Sequence, residues 1–125
     1  MKKMLSAVLL SGVLLTSIGS VYAEENDLPY VDGLGYEVNV EEEEFNITPC
    51  NYDSGWKDFL GGRWHHGVND TQVWSKYDHK SKTHKTAVRG AGLKYSYSGW
   101  TKPGQTASAS WEKARLGNKA WADVK

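Results

Sequence analysis

The pattern of apolar and polar positions changes twice along the chain. Residues 4–18 are apolar, interrupted only by the small Ser6, Ser11, Gly12, Thr16 and Ser17. Residues 24–60 hold no sustained period. Their exception is Tyr36-Glu37-Val38-Asn39-Val40, whose alternation fits one short extended piece. From Gly61 onward the period becomes two. Leu93-Lys94-Tyr95-Ser96-Tyr97-Ser98 and Ala107-Ser108-Ala109-Ser110-Trp111-Glu112 alternate as half-buried strands do. Shorter strand-like runs cover 62–67, 72–77, 84–89 and 119–124. Turn signals separate several of them: Gly90 with Gly92, Gly99, Pro103-Gly104 and Gly117-Asn118. About six short strands at this spacing predict an all-β fold, a small antiparallel β-sandwich of two short sheets. Residues 111–116 also admit a helical turn, because Glu, Lys, Ala, Arg and Leu favour helix.

The first apolar run has the three parts of a secretory signal. Lys2 and Lys3 precede it, and Val21-Tyr22-Ala23 supplies a cleavage site followed by Glu24-Glu25. A spanning helix needs about 20 apolar residues, and this run is shorter. Residues 1–23 are therefore expected to be a signal peptide cut between Ala23 and Glu24, and the remaining chain to be secreted. No cysteine near the cut would serve for lipidation.

A formal net charge of zero conceals strong segregation. Residues 24–60 hold eleven acids, Glu41 to Glu44 consecutive among them, against the single base Lys57, a net −10. Residues 61–125 hold twelve bases and four acids, a net +8. Such an acidic, Gly- and Pro-punctuated stretch offers little apolar burial to offset ordering entropy. Residues 24–60 accordingly read as a largely disordered segment. Charge complementarity suggests a pro-region removed by a second cut near Leu60, Gly61 and Gly62, while a permanently attached solubilising tail explains the same composition. Residues 61–125 are then the working domain. The lone Cys50 cannot form a disulfide within the chain, and an unpaired thiol is the simpler reading than an intermolecular bridge.

The domain of 65 residues contains six aliphatic side chains, five tryptophans and three tyrosines. Aromatic rings must supply much of the buried area, at roughly 150–250 Å² each, and some should remain at the surface. Groups for bond-making chemistry are sparse. His65, His66, His79 and His84 match no metal-ligand spacing, and neighbours on a strand point to opposite faces. Neither Ser75 nor Ser81 sits on a nucleophile elbow or beside an orienting acid, and four acids make a carboxylate pair unpromising. No catalytic residue, metal or cofactor is assigned. What remains is a basic, aromatic surface: Trp64, His65, His66, Trp74 and Tyr77, then the run His79, Lys80, Ser81, Lys82, Thr83 and His84, with Arg89. Lysine runs usually keep a loop solvated. Here they also offer attraction to an anionic envelope, at about 1 kcal/mol per Lys or Arg near an anionic bilayer. Nucleic acid is not an expected partner of an exported chain.

Particular stretches carry a family resemblance. Gly61-Gly62-Arg63-Trp64-His65-His66-Gly67, Val73-Trp74-Ser75-Lys76-Tyr77-Asp78-His79 and Ser81-Lys82-Thr83-His84-Lys85-Thr86-Ala87-Val88 resemble the lactococcin 972 family of bacteriocins. Gly99-Trp100, residues 107–114 and Gly117-Asn118-Lys119-Ala120-Trp121-Ala122-Asp123-Val124-Lys125 agree with it. The resemblance implies a secreted antibacterial protein of two small antiparallel sheets that tends to form homodimers. It implies binding of the cell-wall precursor lipid II, or another anionic envelope component, and a block of septum formation in related Gram-positive bacteria. It also implies a dedicated immunity membrane protein with an ABC-type transporter in the producer. The acidic segment 24–60 lies outside the familiar pattern, and Trp121-Ala122 replaces a frequent pair of tyrosines. A non-toxic, wall-associated adhesion module would use the same surface.

Overall fold

A computed structural model describes residues 27–40 and 51–125. The expected cleavage site at Ala23 and Glu24, the glutamate run 41–44 and Cys50 lie outside the described residues. Ten strands form: β1 (Tyr30–Val31), β2 (Gly35–Asn39), β3 (Tyr52–Asp53), β4 (Lys57–Phe59), β5 (Gly62–Val68), β6 (Gln72–Asp78), β7 (His84–Arg89), β8 (Tyr95–Tyr97), β9 (Ala107–Glu112) and β10 (Lys119–Val124). They make two five-stranded antiparallel sheets. One has the order β1-β2-β10-β7-β8; the other has β3-β5-β6-β9, with β4 also pairing with β5. The six strands expected after Gly61 are all present. Leu93 forms a 3-10 turn with Ala91 and Gly92, so β8 starts at Tyr95. Residues 111 and 112 continue β9, and no helix follows them.

The segment read as largely disordered contributes four of the strands. Its average hydropathy is low, but its apolar side chains fall where they cover the edges of the domain. The extended piece at 36–40 becomes β2 and pairs with β10 from Lys119↔Asn39 to Ala122↔Tyr36. Val40 is fully buried, and Phe59 is 4% exposed. Phe59 packs its ring 4.8 Å from Trp64, 5.6 Å from Tyr36 and 6.1 Å from Tyr77. Part of the acidic charge is answered locally by Glu37, which pairs with Lys119 at 2.8 Å. Leu60 and Gly61 form the two-residue turn between β4 and β5, with φ of 51° and 85°. A hairpin of this kind needs positive φ at both turn positions. The proposed second processing site is thus a tight turn inside a paired hairpin.

Alternation sets the core. Val73, Ser75 and Tyr77 of β6 point inward with Ala107 and Ala109 of β9, against Thr86 and Val88 of β7 and Ala120 and Ala122 of β10. One directed hydrogen-bond chain crosses between the sheets. Trp64 Nε1 donates to Ser75 Oγ at 2.8 Å, Ser75 Oγ lies 2.6 Å from Thr86 Oγ1, and Thr86 donates to the Trp121 carbonyl at 2.7 Å. A carbonyl only accepts, so the Thr86 proton is committed to it and Ser75 must donate to Thr86. Each hydroxyl in the chain is thereby satisfied without water.

Candidate functional site

The outward positions of β5 and β6 are Arg63, His65 and Gly67 opposite Asp78, Lys76 and Trp74. On this face the side chains form a continuous row. The Arg63 guanidinium lies 4.9 Å over the Trp56 ring, Trp56 packs 4.9 Å from His65, and His65 meets Trp74 edge-to-face at 4.7 Å. His65 Nε2 pairs with Asp53 Oδ1 at 2.5 Å. The Gly55 N–H, and then His65, hold the Asp53 carboxyl below the usual carboxylate range. Gly67 is what lets Trp74 lie across the strand: a Cβ there would stand 2.6 Å from the Trp74 ring and 2.3 Å from the Tyr52 carbonyl oxygen.

Beyond Arg63 the row opens into a hollow of about 770 Å³ lined by Asp58, Gly61, Gly62, Asp78, His79, Lys80, Gly104 and Thr106. The 79–83 loop forms one bank, and its two histidines are its pins. His79 Nδ1 accepts the amide N–H groups of Ser81 at 3.2 Å and Lys82 at 3.0 Å. Its Nε2 therefore carries the proton and donates to the Leu60 carbonyl at 3.0 Å. His84 is fully buried between the carbonyls of Lys82 and Gln105, at 2.9 and 2.7 Å. Lys80, Ser81 and Lys82 are left exposed on a loop held from below.

Of the residues singled out from sequence, the structure brings together His65, Trp74 and, across the hollow, Lys80 with the 81–83 loop. Trp64, Tyr77, His79 and His84 are core or loop pins, at most 4% exposed. Their side chains are taken up by packing and by hydrogen bonds inside the fold, His79 also lining the hollow. His66 points inward against Trp64 and Tyr52. Its Nδ1 is buried without a hydrogen bond among the described residues, and burial lowers its pKa to about 4. Arg89 lies at the other end of β7 from His84 and donates to the Gly117 carbonyl at 3.3 Å. The sequence reading missed Trp56 and Arg63. Arg63 was accessible through alternation, being two positions from His65 on the same face. Trp56 precedes β4 in a stretch without period, and only its tertiary contact reveals it. Among the described residues, no group of three or more His, Cys, Asp and Glu side chains could hold a metal ion.

The arrangement is an open face that can stack and hydrogen-bond, with cations and aspartates interspersed. The body that carries it is a small all-β sandwich with an open aromatic and basic face. Residues 60–121 match the family model described as bacteriocin (Lactococcin_972). Through these residues the chain belongs to the lactococcin 972 family of bacteriocins. Neither a curated protein nor a solved structure matches it. No helix among the described residues is long and apolar enough to cross a membrane.

Proposed function

We propose that this bacteriocin is exported by cleavage between Ala23 and Glu24 and acts outside the producer by binding, without catalysis. Its target is a phosphate-bearing component of the envelope of related Gram-positive bacteria, with lipid II the leading candidate. Occupancy of that target blocks septum and wall synthesis. The observation that carries the reading is the family match over residues 60–121, joined to the ring-and-cation face that Arg63, His65 and Trp74 of that region form with Trp56 just before it. Lys80 and Lys82 on the pinned loop supply charge for phosphate, and Trp56 and Trp74 supply flat apolar area beside it. Self-association as a homodimer, and protection of the producer by a membrane immunity protein with an ABC-type transporter, belong to the same proposal.

The test is inhibition of growth by the purified protein, and its reversal by added purified lipid II. Protection at equimolar lipid II is the expected result. Killing undiminished by a molar excess removes that target, and no killing of any related strain turns the reading to a wall-adhesion module.

A further inference from the structure

The outer face of the other sheet carries a second arrangement that the sequence reading did not single out. Glu37, Trp121, Ala87 and Tyr97 stand in one row across β2, β10, β7 and β8. Trp121 is 2% exposed, lying under Tyr95 at 5.6 Å and donating from Nε1 to Glu37 at 3.2 Å. Tyr95 and Tyr97 stack within 7° of parallel. Tyr97 is 62% exposed and Trp100 42%. Beside them the ammonium groups of Lys85 and Lys125 each lie 4.6 Å from the Trp100 ring centre. Small Ala87 leaves a cleft of about 130 Å³ between these rings and the β1–β2 turn, where Gly33 and Leu34 form the opposite wall. Lys85 holds that wall by donating to the Gly33 carbonyl at 2.9 Å. The wall comes from residues that precede the family match, so the cleft is a feature of this chain rather than of the matched region alone.

We propose that this cleft binds an acidic saccharide. A pyranose ring lies against Tyr97 and Trp100, and its carboxylate or phosphate rests on the Lys85 and Lys125 ammonium groups. Charge complementarity selects the ligand class: neither lysine is ion-paired among the described residues, and Asp123, the nearest acid in register with Lys85, is engaged by the Tyr30 hydroxyl at 2.7 Å. Exposed aromatic faces with a polar edge suit a ring that is apolar on its C–H side and hydroxylated at its rim. The inference rests on the envelope-binding reading only for where such a ligand is met, and its test is independent of killing.

Tetragalacturonate, its fully methyl-esterified form, glucose 1-phosphate and inorganic phosphate are titrated into the full chain while amide and indole resonances are followed. Binding of tetragalacturonate or glucose 1-phosphate that moves the Trp100 indole is expected, and the two arms tell carboxylate from phosphate. The uncharged ester and inorganic phosphate should each bind at least tenfold more weakly. Trp100→Ala should weaken acidic-sugar binding at least tenfold and Lys125→Ala about threefold, whereas Leu116→Ala, an exposed substitution elsewhere, leaves it unchanged. Absence of binding in every arm, equal binding of inorganic phosphate, or binding indifferent to both variants overturns the proposal. So does concentration-dependent dimerisation abolished by Trp100→Ala without any saccharide shift, which assigns the patch to a second copy. Loss of killing with saccharide binding intact counts against the proposed function alone.

Discussion

Both outer faces of the sandwich carry aromatic rings, and they hold them differently. On the β5–β6 face the rings form a chain of mutual contacts from Arg63 through Trp56 and His65 to Trp74, with Asp53, Asp58 and Asp78 among the cations. On the β10–β7–β8 face one ring is sacrificed to structure: Trp121 is buried, its indole N–H satisfied by Glu37, and it serves as floor. Tyr97 and Trp100 then stand exposed beside lysines. The difference teaches which ring to read as structure. An indole whose polar edge is satisfied inside the protein holds the fold, whereas one faced by ammonium groups and solvent is ready for a partner.

That contrast can be broken by truncation. Trp121→Ala deletes a ring from a nearly solvent-free site and should cost about 3–5 kcal/mol, much of what a small domain possesses. Trp74→Ala removes a half-buried ring and should cost roughly half as much or less. Urea unfolding of the two variants decides: equal losses would mean that the β5–β6 face is as structural as the other.

Acid should act next, through the underside of the β5–β6 face. His66 is held near 4 in the fold, against about 6.5 for a free imidazole, chiefly because burial disfavours its charge. The unfolded chain therefore binds the extra proton first. Stability from this residue is complete above about pH 6.5 and declines as the pH falls toward 4, by about 3 kcal/mol at most. Unfolding measured at pH 7 and pH 4 should show the loss, and His66→Phe, which keeps a ring and cannot titrate, should flatten it. A slope unchanged by the substitution assigns the acid sensitivity to other groups.

The hydrogen-bond chain that joins the two faces should respond more modestly. Thr86→Val takes the donor from the Trp121 carbonyl and the acceptor from Ser75. Leaving buried polar atoms without partners costs about 1–3 kcal/mol. A loss below about 0.5 kcal/mol in the same unfolding assay would show that Ser75 and the Trp121 carbonyl find other partners.

The strands after Gly61 were legible because each buries one face, which imprints period two on the sequence. The first half was harder. Tyr36, Val38, Val40, Tyr52 and Phe59 are too few to offset eleven acids in an averaged hydropathy, yet each packs against a core that other strands supply. Order there is a tertiary effect, visible only once the β10 and β5 edges exist to be covered. The site divides along the same line. Outward alternation exposes Arg63 and His65, and the same alternation turns His84 inward with Thr86 and Val88. Residue types alone do not say that His79 and His84 pin the loop, because their partners are main-chain atoms of Leu60, Ser81, Lys82 and Gln105. Trp64 and Tyr77 share the residue types of Trp74 and Tyr97, and only the direction of the strand face separates core from surface.

The smallest effect belongs to Asp53, and it is measured best against Glu37, the corresponding carboxylate of the other face. Asp53 is mostly exposed, and Asn in its place can still accept the Gly55 N–H. Asp53→Asn should therefore lose only the carboxylate charge of an exposed contact with His65, about 0.2–1 kcal/mol. Glu37 is more enclosed and serves both Lys119 and the indole of Trp121. Glu37→Ala leaves that indole N–H without its acceptor and should cost more, about 1–3 kcal/mol. If Asp53→Asn proved the more damaging in thermal or urea unfolding, His65 rather than Trp121 would be the more structural of the two rings, and the reading of a ring's role from how its polar edge is satisfied would fail.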